Sequence, residues 1–157
     1  MQTNCDEKQK SMEQKKFKYQ KQIDELIALG CQLPALFEPN NMNACRFAFS
    51  EPGHVNHIPQ YISNPKRMLH DISQGNSNPS LLALSCFTTP EHACCFYQNL
   101  SKAFKKVAIS IGNSLAEGIL TENDGKNTAP SSNGHFDFYE YEGCDLSKSF
   151  QITKALL

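Results

Sequence analysis

The run His135-Phe136-Asp137-Phe138-Tyr139-Glu140-Tyr141 constrains this chain most. Apolar and polar residues alternate along it, and a period of two is the signature of a β-strand. Alternation puts His135, Asp137, Tyr139 and Tyr141 on one face, and Phe136, Phe138, Glu140 and Glu142 on the other. Aromatic residues fall on both faces, so the pattern fixes the strand but not which face is buried. With the Phe136/Phe138 face as the core, His135, Asp137 and Tyr139 project together as a binding surface or around a general base. The plainer reading is a half-exposed strand with cross-strand polar pairs.

The rest of the chain supplies partners for that strand. Ala44–Phe49 alternates and is aromatic, and Leu81–Phe87 is the most apolar strand candidate, expected near the middle of a sheet. Val55–Ile62, interrupted by Pro59, reads as a weaker edge strand, and Phe150–Thr153 as a last short one. Asn64-Pro65 and Thr89-Pro90 each place a capping side chain before a proline at the first helical position, so helices are expected to start there. The β-branched content of Val107–Ile111 favours a strand, Ser114–Leu120 reads as helical or extended, and polar Thr121–Gly134 reads as a long mobile loop. Strands interleaved with a few helices define an α+β class: a small mixed or antiparallel sheet with two or three helices and a charged N-terminal helix.

That N-terminal helix is expected from about Asp6 to Leu29, with Met12, Tyr19, Ile23, Leu26 and Ile27 at helical spacing and Gly30 as the stop. Residues 1–30 then form the charged helix and residues 31–157 a single domain. Lys15, Lys16 and Lys18 lie on its lysine-rich part, either as a solvated face or as an arm that touches an acidic partner or nucleic acid. On the arm reading, removing the residues before about Tyr19 leaves the fold intact.

Several function classes lack their usual signatures. Lys and Arg total 15 against 16 Asp and Glu, so the global charge does not favour nucleic-acid binding. No run of about 18 apolar residues suggests a membrane span, and the N-terminus lacks the apolar stretch of a secretion signal. The chain is therefore expected in the cytosol, with its seven cysteines as thiols, since their odd count and irregular spacing do not make a disulfide framework. Paired metal ligands at zinc spacing are missing; His54 and His57 in H-V-N-H come nearest. The eight glycines are scattered, so no phosphate cradle or dinucleotide fingerprint is present and no cofactor is expected. Cys86, within an apolar strand, reads as core.

Arg46 is one of only two arginines and sits on the first strand. An internal salt bridge, for instance to Glu140 or Glu142, is one explanation; a bidentate contact to a carboxylate or phosphate is another. An arginine on an early strand, a strand running into L-S-C-F-T-T-P-E and a late carboxylate-bearing strand loosely resemble the motif order of ADP-ribosyltransferases. That resemblance implies an NAD-using enzyme in which Arg46, Ser85 and Glu140 or Glu142 carry the catalytic site. The chain reads Ser85-Cys86-Phe87-Thr88 where that family has a Ser-Thr-Ser pattern.

The leading expectation is an accessory or partner-binding domain without catalysis of its own, with a protein as partner. The ADP-ribosyltransferase-like enzyme is the second reading, and a nucleic-acid-binding module using the lysine-rich helix the third.

Overall fold

A computed structural model describes residues 15–156. Six strands run β1 (Met42–Ala48), β2 (Leu84–Phe87), β3 (Ser114–Leu120), β4 (Gly125–Asn127), β5 (His135–Glu140) and β6 (Gln151–Ala155). Helix α1 (Gln20–Ala28) precedes them, and between them lie α2 (Gln60–Ser63), α3 (Pro65–Ser73), α4 (Pro90–Ala103) and α5 (Val107–Ser110), with 3₁₀ turns at Pro79–Leu82 and Leu146–Lys148. The strands form one sheet in the order β4-β5-β2-β1-β3-β6, antiparallel throughout. The chain is an α+β domain.

Both faces of this sheet are covered, which is why β5 carries aromatics on both sides. On one face, here the loop face, Ala44, Ala48, Cys86, Phe136 and Phe138 pack beneath Leu146 and Phe150 of the irregular C-terminal chain. On the helix face two separate clusters form. Cys45, Phe87 and Leu115 receive Ala93 of α4. Tyr139 receives Ile23 and Leu26 of α1, Tyr61 of α2 and Met68 of α3. Each large side chain buried this way contributes about 1.5–3 kcal/mol relative to leaving it in water.

Local chemistry sets the element ends. The Thr89 hydroxyl accepts from His92 N–H at 3.1 Å and Pro90 follows it, so α4 starts where its donors are satisfied. The Asn64 side chain accepts from Arg67 N–H at 3.2 Å ahead of α3. Gly30, at φ +99°, closes α1 with bonds from Gly30 N–H to Ile27 and from Cys31 N–H to Leu26. Gly112, at φ +128°, lies so near β1 that a Cβ would stand 2.5 Å from the Ala48 carbonyl oxygen; Tyr97 of α4 donates to Gly112 O at 2.8 Å.

Several expectations change. The first helix starts at Gln20, not at Asp6; residues 15–19 are not helical, and its expected start lies outside the described residues. Phe17 bridges Tyr141, with Lys18 N–H bonded to Glu140 O and Glu142 N–H to Lys16 O, each at 2.8 Å, so this segment is an added edge on β5. Val55–Ile62 is no strand: Pro59 precedes the short helix α2. Val107–Ile111 turns as α5, because the strand begins only after Gly112 has redirected the chain. The Thr121–Gly134 stretch contains β4, paired with β5 through Lys126 and Tyr139.

Candidate functional site

The charged residues of the loop face are all engaged with the fold. Arg46 shares a face with Cys86 and is 9% exposed. Its Nε donates to His57 Nδ1 at 2.9 Å, and its Nη1 donates to the Ser85 backbone carbonyl. His57 takes up a positive φ of 63° to meet it and lays its ring edge on Phe150, 5.5 Å between centroids. Burial, and then the Arg46 charge, lower the His57 pKa to about 4, so the ring is neutral at physiological pH and its Nδ1 is free to accept.

Glu140, at the end of β5, is buried and pairs with Lys18 at 2.7 Å, while Lys18 also donates to the Cys144 carbonyl. Burial raises the Glu140 pKa, with Lys18 pulling against it. Burial also works to lower that of Lys18, but the hydrogen bond and charge of Glu140 outweigh it and the net shift is upward. The internal partner of Glu140 is therefore Lys18, and Arg46 bonds to an imidazole and a carbonyl. Glu142 is exposed beyond the strand.

On the helix face a different group stays open. Ser85 faces Asp137 across the β2–β5 ladder, and Phe87 faces His135. The Ser85 Oγ stands 2.6 Å from His135 Nε2, and Asp137 Oδ1 is 3.9 Å from the same nitrogen. The His135 ring stands edge-on to Phe87 with centroids 5.4 Å apart. Ser85 is exposed, and the side chains of His135 and Asp137 retain 34% and 20% of their accessible surface. Burial raises the Asp137 pKa and the nearby imidazole lowers it. Along the β2–β5 ladder Ser85 and Asp137 lie between the Phe87–His135 pair, where Phe87 belongs to the α4 cluster, and Tyr139, which belongs to the α1–α3 cluster.

The expected site residues thus separate. His135 and Asp137 come together and are joined by Ser85, but Tyr139 does not project with them: it is 1% exposed beneath α1–α3. Arg46 and Ser85 present their side chains on opposite faces, and Glu140 is held by Lys18, so Arg46, Ser85 and either carboxylate share no cavity. Lys15 and Lys16 are exposed, and the Lys15 ammonium lies 5.4 Å from the centroid of the Tyr141 ring. Lys18 is an internal ion-pair partner and not part of a free basic face. Among the described residues no group of three or more His, Cys, Asp or Glu is placed to hold a metal ion. The six cysteines among the described residues are free thiols, with burial pushing Cys45 and Cys144 up to about 12 and Cys86 to about 11.

A further feature had no sequence signal. A groove of about 600 Å³ runs beside the outer strand β6 on the loop face. Ala48 and Ala116 form its floor, Phe150 and His57 one wall, and Val55 and Ile152 its mouth. Its cause is the diagonal placement of two alanines on β1 and β3, with Ala48 opposite Ser114 and Ala116 opposite Arg46; their short side chains leave the space unfilled, and nothing in the linear pattern sets them near each other. Comparison with protein-family models, curated proteins and solved structures finds no match to this chain.

Proposed function

We propose that this chain is a cytosolic partner-binding domain that takes up an extended segment of another protein along β6. The observation that carries the reading is the contrast between the two sheet edges. The β4 edge is closed by Phe37, which exchanges two 2.8 Å backbone bonds with Asn127. The β6 edge ends the sheet with all five residues exposed. A strand edge of this kind presents a row of backbone donors and acceptors to an incoming strand. Alternate side chains of that strand would meet the groove between Val55 and Ile152, which are 68% and 46% exposed. The free thiols, and the lack among the described residues of any helix long and apolar enough to cross a membrane, accord with the cytosolic placement.

Native mass spectrometry of the chain recovered from its own cells tests this. The expected species carries a stoichiometric second protein, and rebuilding that complex with Ile152→Glu or Val55→Glu abolishes it, while Ile109→Glu, a 77% exposed control, does not. A bare monomer, a homodimer, or a partner that survives both groove substitutions overturns the reading.

A further inference from the structure

We propose that Ser85 and His135 form a nucleophile–base pair able to take an acyl group from a small activated ester. The pair has the geometry that this chemistry needs. A serine hydroxyl is a weak nucleophile until a base within about 2.6–3.2 Å removes its proton. Ser85 Oγ lies 2.6 Å from His135 Nε2, and the hydroxyl is open to solvent. Both residues sit on strands in the body of the sheet, held by the ladder pairs Ser85–Asp137 and Phe87–His135. Phe87, 1% exposed, backs the imidazole, so the ring is fixed by packing and not by a loop.

Asp137 has a defined part. Its carboxylate is 3.9 Å from Nε2 and makes no hydrogen bond to Nδ1, so it does not set the tautomer as the third member of a triad does. It acts as a positioning and electrostatic group, favouring the imidazolium that forms when the Ser85 proton moves. Its backbone is pinned on the other side: Asp137 N–H donates to Thr128 Oγ1 and Thr128 N–H to Asp137 O, both at 2.9 Å.

The step balances without a co-reactant other than water. Ser85 Oγ bonds to the acyl carbon while its proton passes to His135 Nε2. The bond from acyl carbon to leaving-group oxygen breaks, and the imidazolium returns the proton to that oxygen. Water then adds to the acyl-serine through the same base, releasing a carboxylic acid and restoring the hydroxyl. The open setting, in a gap between two helix clusters, suits a small or surface-presented acyl group.

The experiment uses the full chain and a small phosphonofluoridate, which forms a Ser Oγ–P bond and releases fluoride. Intact-mass and peptide-mass analysis are expected to place one adduct on Ser85, with none on that peptide in Ser85→Ala. The labelling rate is expected to fall by about 10²-fold or more in His135→Gln, the usual contribution of a positioned general base. Asp137→Asn is expected to lower it severalfold. Circular dichroism checks that each variant keeps the native spectrum, and His135→Asn is the substitute should His135→Gln unfold. Absence of an adduct on Ser85, or a rate indifferent to the loss of the imidazole, overturns the proposal. Binding through β6 has no bearing on this readout, so the two ideas stand or fall separately.

Discussion

Residues that are neighbours in sequence meet opposite fates on the two faces of the sheet. Cys86 points into the loop face, where each charged side chain of the strands is hydrogen-bonded: Arg46 to His57 and a carbonyl, Glu140 to Lys18. Ser85, one residue away, points into the helix face, where the hydroxyl, imidazole and carboxylate are left between two helix clusters and meet solvent. The loop face is covered by the Leu146–Lys148 3₁₀ turn and irregular chain, so its charged side chains find their partners in the sheet's own backbone and in that chain. The helix face is closed by rigid bodies that pack at two ends. Groups in the gap are positioned without being consumed, as a site requires.

The largest test of this contrast is Lys18→Met, which leaves the buried Glu140 carboxylate without its cation. The expected cost is about 3–5 kcal/mol in chemical denaturation. Because Glu140 can escape by protonating, the deficit relative to wild type should be greatest at neutral pH and narrow as pH falls through the raised Glu140 pKa. Equal loss at every pH would mean that Lys18 acts only through packing. Removal of residues 1–18 should be as damaging, contrary to a detachable arm.

Arg46→Met comes next. It leaves His57 Nδ1 and the Ser85 carbonyl without their donor, and the expected loss is about 2–3 kcal/mol, with Ser85 labelling retained because the hydroxyl is on the other face. Labelling that disappears in a folded Arg46→Met chain would show that the two faces are coupled.

His57 gives a test by pH alone. Its folded pKa of about 4 lies below the ordinary value of 6.5, so the unfolded chain takes up a proton first. Stability from this group is present above pH 6.5 and is lost as pH falls from 6.5 toward 4, by about 3 kcal/mol at most. Raised carboxyl pKa values at Asp137 and Glu140 work the other way in acid, so the comparison is with His57→Asn. Asparagine tolerates the positive φ and does not titrate, and its melting temperature should decline less across that window. The smallest expected effect is Ser85→Ala, within about 0.5 kcal/mol of wild type, as befits an exposed hydroxyl outside both helix-face clusters.

Much of the fold was legible because its signals are local. Thr89-Pro90 and Asn64-Pro65 mark helix starts through side-chain bonds that span three residues. The β5 strand announces itself through alternation. What could not be read depends on pairing across distance. Tyr139 looks like a companion of His135 and Asp137 until α1 folds over it. Lys18 looks like one lysine among many until Glu140 arrives. Val107–Ile111 is β-branched, yet it turns as a helix because Gly112 must first fit against β1. Of the site, His135 and Asp137 were visible from one strand, but the contact that matters joins Ser85 to His135, 50 residues apart. Only the β2–β5 register brings it about.

The clasp between Lys18 and Glu140 also sets a schedule. These residues are separated by 122 positions, and Lys18 bonds Cys144 O across 126. During synthesis the segment at Phe17 emerges early and stays unpartnered until β5 and the turn after it have left the ribosome. Contacts of such long range close slowly, because the loop entropy is lost before the ion pair and the Phe17–Tyr141 stack compensate for it. The last event of folding should therefore be the seating of a segment made well before its partners, and a chaperone that shields Phe17 in the interval should raise the yield of native protein.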